Sequence, residues 1–316
     1  MLDNPDLWSV VARAISFVLL LNAAGVGIFI AVFGRLVPHS LPAVYRLGGG
    51  IAVAALIFVA LHQALEAARM AGELSGAMDP AMQKMAILSS TGAAFAMRMA
   101  GLAILVVGMW RGARWPEIAG ATRASAGRAG ALATTAGIQT VSPDAFGSPA
   151  VVIGVLLATT SFALTGHTSV NPHRAASAVL LMLHLLVVAF WLGALIPLFI
   201  AAGREQPQVA ARLIEAFSRI AGWVVPGILV AGVGLTALLV PALSVFTQPY
   251  GQLLMTKIGL FAVLMGLAAF NKWVFGPVIA QAARAFRYTV AAEYVLICAV
   301  LAVTAAMTTF YSPEAP

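Results

Sequence analysis

An all-α, polytopic membrane protein is the fold class this sequence predicts, and three observations carry that prediction. Of its 316 residues, 61% are hydrophobic and only 9% are charged, with a mean hydropathy of +0.97. A soluble domain carries nearer a quarter charged residues. Apolar runs of about 20 residues, the length of a membrane-spanning helix, recur along the chain. The strict alternation of a membrane β-barrel is absent from them.

Eight transmembrane helices are predicted, at 7–34, 47–69, 86–110, 149–166, 175–201, 219–241, 251–275 and 288–310. Each is an apolar run closed by basic or loop-forming residues. The connections 35–46, 111–148, 202–218 and 276–287 hold or adjoin Arg35, Arg46, Arg111, Arg114, Arg123, Arg128, Arg204, Arg212, Arg219, Lys272, Arg284 and Arg287. On the other side, 70–85 has Lys84, 167–174 has Arg174 and 242–250 has no basic residue. The positive-inside rule makes the first set cytoplasmic and both termini periplasmic, as in a bacterial inner-membrane protein. Trp110, Trp115, Trp223 and Trp273 fall where a cytoplasmic aromatic belt would sit. The opening MLDNPDLW lacks the basic start of a secretory signal, so the first span is expected to stay attached. The net charge of +7 follows this topology and does not point to nucleic acid. The single cysteine, Cys298, allows neither a disulfide framework nor a thiolate metal cluster.

The chain divides into an N-terminal transmembrane half at 1–110, a cytoplasmic basic linker at 111–148 and a C-terminal transmembrane region at 149–316. Two parallels relate the halves. Gly92-AAFAM-Arg98 and Gly251-QLLMT-Lys257 share a glycine, five residues and a base, while FIAVFGR (29–35) and FIAAGR (199–204) close the first and fifth spans. An offset of four spans leaves the halves pointing the same way. The eight helices are therefore expected as two parallel four-helix repeats about an axis along the membrane normal.

Polar residues inside the spans are the candidate sites. Three of the five histidines, His167, His173 and His184, occupy one periplasmic hairpin. His184 lies about 13 Å down its helix at ~1.5 Å per residue, and a buried imidazole is a functional hypothesis by default. His62 and Glu66, four apart on one helix face, can share a ligand, or can form an interfacial polar patch. Arg98 and Lys257 are intramembrane bases at matched positions, read as structural. Glu293 is a partner or proton carrier, and Asn22 and Asn271 are placed to bond across helices. Met97, Met99, Met255 and Met265 make a soft-metal path or ordinary packing. Pro197 is expected to bend the fifth span.

LTGH at 164–167, HLLVVAFWLGALIPL at 184–198 and YGQLLMTKIGLFAVLMGLAAFNKWVFGP at 250–277 resemble the copper resistance protein D (CopD) family of bacterial inner-membrane proteins. The resemblance is strongest over 150–310. It implies copper handling, usually import of periplasmic copper, often beside a periplasmic copper-binding protein of the CopC type. No fused CopC-like domain is recognisable, so such a partner would be separate.

Three functions follow as expectations. The first is copper binding and uptake for homeostasis and resistance, with metal ligands His167 and His184, His173 at the entrance and His62/Glu66 as a third arm. Imidazole with carboxylate suits Cu(II) and imidazole with thioether suits Cu(I), so the oxidation state stays open. The second is a haem-binding electron carrier, with His62 and His184 on facing helices. The third is a copper-docking scaffold that transports nothing. No enzyme is expected. The absence of a Walker motif and of an acylphosphate aspartate excludes ATP-driven pumping.

Overall fold

The computed structural model describes residues 4–127, 149–165, 173–240, 242–275 and 278–311. The regular elements among them are all helical: α1 (Pro5–Phe33), α2 (Leu41–Ala71), α3 (Pro80–Leu88), α4 (Ser90–Gly127), α5 (Pro149–Thr160), α6 (Arg174–Arg204), α7 (Pro207–Val224), α8 (Pro226–Leu239), α9 (Pro249–Phe270) and α10 (Ile279–Phe310). Proline opens many of them, where its missing N–H and fixed φ cost nothing. Asn4 caps α1 by accepting the Asp6 N–H at 2.8 Å, and Asp79 caps α3 by accepting the Ala81 N–H at 2.7 Å.

The chain is an all-helical, multi-pass membrane protein. Among the described residues, seven helical segments are long and apolar enough to cross a membrane. The expected fourth span is shorter. α5 has 12 residues, followed by a four-residue 3-10 turn at Ser161–Leu164. At ~1.5 Å per residue this reaches about 24 Å, against a hydrocarbon core of ~30 Å.

Several boundaries differ from the sequence expectation: the second span begins at Leu41, not at 47, and the last helix at Ile279, not at 288. The third span begins at Ser90, not at 86, because α3 ends at Leu88 and the chain turns at Ser89. Ser89 Oγ accepts the Thr91 N–H at 3.3 Å, and Gly92 packs so tightly on the Ile87 carbonyl that no Cβ would fit. The α4 helix then continues past residue 110 to Gly127, so the linker begins as helix; 128–148 lie outside the described residues. Residues 207–218, expected as loop, belong to amphipathic α7. It buries Leu213, Ile214 and Phe217 and exposes Arg212, Glu215 and Arg219, the 3–4 spacing of a helix lying on an apolar surface. Pro197 does not interrupt α6.

The core forms around α1. Leu20, Leu21, Val26, Phe29 and Phe33 are buried, and Phe33 meets Phe190 of α6 and Phe217 of α7 at ring-centroid distances of 6.3 and 6.1 Å. At the α1–α6 crossing, a Cβ added to Gly25 would collide with the Ala189 carbonyl and lie 2.7 Å from Gly193 Cα. Small residues let two backbones approach in this way. On α8 and α9 the apolar side chains turn outward, with Val230 71% and Val263 60% exposed, as a lipid-facing surface requires. Trp110, Trp223 and Trp273 are exposed, as belt residues are; nothing is described of the Trp115 side chain.

Candidate functional site

The first histidine site is built by α6 and α8. His184, in the third turn of α6, brings Nδ1 to 3.3 Å from the Ile228 carbonyl of α8. Gly232, one turn further along α8, faces the ring: a Cβ there would stand 4.0 Å from His184 Cε1, an ordinary contact. With the Nδ1 proton donated to that carbonyl, the Nε2 lone pair is available to a metal. Lys257 of α9 lies within electrostatic reach of this imidazole. His173 is exposed at the start of α6, where its carbonyl accepts the Ser177 N–H at 3.0 Å. His167 lies outside the described residues.

The second histidine belongs to a charged cluster at the end of the bundle that carries both chain ends. Arg13 of α1 donates Nε–H to His62 Nε2 at 3.0 Å and approaches Glu66 Oε1 at 3.4 Å. Ser9 Oγ donates to Glu66 at 2.8 Å, and Arg69 reaches both Glu66 oxygens at 3.3 Å and Asp6 at 2.7 Å. Arg13 Nη1 also donates to the Thr308 carbonyl, at 3.1 Å, in the last turn of α10. Two arginines therefore hold Glu66. The His62 Nε2 lone pair is occupied by Arg13, so a metal at that nitrogen would have to displace the guanidinium.

The matched bases have different surroundings. Arg98 donates Nε–H to Ser161 Oγ at 3.1 Å and stacks its guanidinium 4.5 Å over Phe162, joining α4 to the turn after α5. Lys257 sits on the His184 side. Their companion glycines do the same job: a Cβ on Gly92 would strike the Ile87 carbonyl, and one on Gly251 the Val245 carbonyl. Of the four methionines, Met99 and Met265 pack against the core, while Met255 is 52% exposed on the outer surface.

A third polar group is centred on the buried Glu293, Asn271 and Trp191. Glu293 of α10 accepts the Trp191 indole N–H at 3.2 Å and the Asn271 amide, and Thr289 donates to Asn271 Oδ1. Asn22 bonds across helices as expected, donating to Tyr294 Oη at 3.0 Å. Among the described residues, no three His, Cys, Asp or Glu side chains are grouped so as to hold a metal ion.

Residues 211–307 match the family described as Copper resistance protein D. Over that segment the chain is similar to the copper resistance protein D family. It is 33% identical over 184 residues to "Copper resistance protein D" of Pseudomonas syringae pv. tomato, a match covering 51% of this chain and 57% of the relative. It is 30% identical over 168 residues to "Copper transport protein CutJ" of Bacillus subtilis (strain 168), covering 52% of this chain and 30% of that protein. The chain thus spans little more than half of the first relative's length and about a third of the second's. No solved structure gives a significant match.

Sequence reasoning missed Arg13, Ser9 and Asp6 in the His62 cluster and Thr289 beside Asn271. A base two turns inside the first apolar run was the available signal for Arg13. Nothing in the sequence pairs Trp191 with Glu293, 102 positions away.

Proposed function

We propose that the chain is a copper-binding protein of the bacterial inner membrane that takes up periplasmic copper for copper homeostasis and resistance. The observation that carries this reading is the match to relatives named for copper resistance and copper transport, joined to a histidine, His184, set within a membrane-spanning helix with one ring nitrogen available. Neither relative is named for a chemical reaction, and no catalytic step is part of the proposal.

In this reading His184 and His167 are the ligands, with His173 at the entrance. His62 and Glu66 form a further arm once Arg13 moves aside. Met97, Met99, Met255 and Met265 are soft stepping points beyond it. Arg98 and Lys257 are structural charges. The bundle crosses the membrane eight times, the short Pro149–Leu164 segment included. The bond from Arg13 to the Thr308 carbonyl supports an even count, because it joins the start of the first span to the end of the last. The basic connections put those ends in the periplasm, and a separate CopC-like protein is the donor of copper.

Proteoliposomes loaded with a copper-sensitive dye test it. Saturable uptake that is lost in His184→Ala supports transport. Binding without uptake leaves a docking protein, and a reduced-minus-oxidised spectrum with haem bands would replace copper by haem as the ligand of these histidines.

A further inference from the structure

A second site lies away from the histidines. A cavity of about 250 Å³ runs between α6, α7, α9 and α10, from Gly222 and the exposed Trp273 inward to Trp191 and Glu293. We propose that Glu293 is a proton-binding site at the inner end of this cavity, loaded and emptied from the face opposite the chain ends.

The geometry supports a proton better than any other occupant. Glu293 is 4% exposed, and among the described residues no cation lies within ion-pair distance of it. An ionised carboxylate taken that far from water without a counter-charge is strongly disfavoured, so it needs a cation or a proton. A metal cation is poorly served: Trp191 can only donate, Asn271 Oδ1 is already engaged by Thr289, and Met265 is the one thioether in the wall. A proton needs none of those ligands. Each carboxyl oxygen keeps one donor, from Trp191 or Asn271, and a hydroxyl on either can point into the cavity.

The wall is shaped for access. At Asn271–Phe275 the chain adopts a π-helical turn. Such turns are frequent at functional sites, because the extra residue redirects side chains. Here the turn aims Asn271 at Glu293 and sets Lys272 on the same cavity wall. Among the described residues, Lys272 is the one charged group besides Glu293 that lines it. The α7 helix contributes Ser218 and apolar residues, and α6 contributes Trp191 and leucines. On α10 itself, Tyr294 is bonded to Asn22, Cys298 lies one turn beyond it, and Arg287 stacks 4.1 Å over Phe199.

The inference stands on this cavity and does not depend on copper. Dicyclohexylcarbodiimide, an apolar reagent that modifies protonated carboxyls, is applied to the full chain in membranes and its adducts are mapped by mass spectrometry. The expected result is an adduct on Glu293 that fades as pH rises and disappears in Glu293→Gln while other adducts persist. An unmodified Glu293 at every pH overturns the proposal, and this reading of the unmutated chain does not depend on any variant folding. Access is read by Ser218→Cys in a Cys298→Ser background, using a membrane-impermeant maleimide. Reporter thiols at Asn4→Cys and His39→Cys mark the two faces. Modification from the His39 face supports the proposal, and modification from the Asn4 face or from neither overturns it. The reporters independently show which face is periplasmic, so an inverted orientation would defeat the uptake reading without touching this one.

Discussion

Gly25 of α1 and Gly193 of α6 meet backbone to backbone, and neither position has room for a Cβ. They also hold similar places along their helices. Gly25 precedes the closing Gly34-Arg35 by nine residues, and Gly193 precedes Gly203-Arg204 by ten. Helices α1 and α6 therefore cross each other at a glycine on each side. Small residues at such a crossing let two membrane helices pack at backbone distance.

Gly193→Leu is expected to destabilise the bundle by about 3 kcal/mol, because neither backbone can yield to an added side chain. Gly50→Ala is the control. A Cβ there meets nothing within 4 Å, and the alanine should gain roughly 0.5–1 kcal/mol of helix propensity. Thermal unfolding of both variants in detergent compares them directly. Equal stability of the two would show that the crossing is loose.

Much of this arrangement was legible in the sequence. Long apolar runs need few partners to declare themselves, so spans one and five were placed closely. The Gly–x5–base parallel also marked a shared structural feature, since both glycines pack on a preceding carbonyl. The amphipathic α7 was not legible as helix, because its charges made it read as a connection. The buried polar groups were visible only one at a time. Periodicity places Glu66 on the His62 face, but Arg13 comes from another helix 49 positions from His62. Whether a ring nitrogen is available or occupied depends on that long-range partner.

Removing Arg13 tests how the His62 cluster is held. Arg13→Met leaves the His62 Nε2 lone pair and part of Glu66 unpaired, at a cost of about 1–3 kcal/mol. Adding Glu66→Gln should recover part of that loss, since Ser9 and Arg69 then face a neutral acceptor. A double-mutant cycle on chemical denaturation measures the coupling. Strict additivity would mean that Arg13 and Glu66 do not sense each other.

Lys257 carries a like charge within electrostatic reach of a cation bound at His184. In a site shielded from water that repulsion is felt over several ångströms. Lys257→Gln is therefore expected to tighten copper binding about tenfold, or ~1.4 kcal/mol. Competition against a chelator of known affinity reads the change. Unaltered or weaker binding would mean that the lysine faces away from the ion.

The histidines should separate by substitution. His184 keeps one nitrogen for a metal once Nδ1 is bonded to the Ile228 carbonyl, so His184→Ala should abolish stoichiometric copper binding. His39 is exposed on the connection between α1 and α2, away from both clusters, and His39→Ala should bind as the parent does. His62 gives the sharper test, because its Nε2 already receives Arg13. If copper rests at His184 and His167 alone, His62→Ala keeps full stoichiometry. If copper displaces Arg13 during uptake, His62→Ala keeps equilibrium binding at the first site and slows transport. Equilibrium dialysis and dye-loaded proteoliposomes, run on the same three variants, distinguish these outcomes. Loss of stoichiometric binding in His62→Ala, with His184→Ala unaffected, would move the copper site to the cluster of α1 and α2.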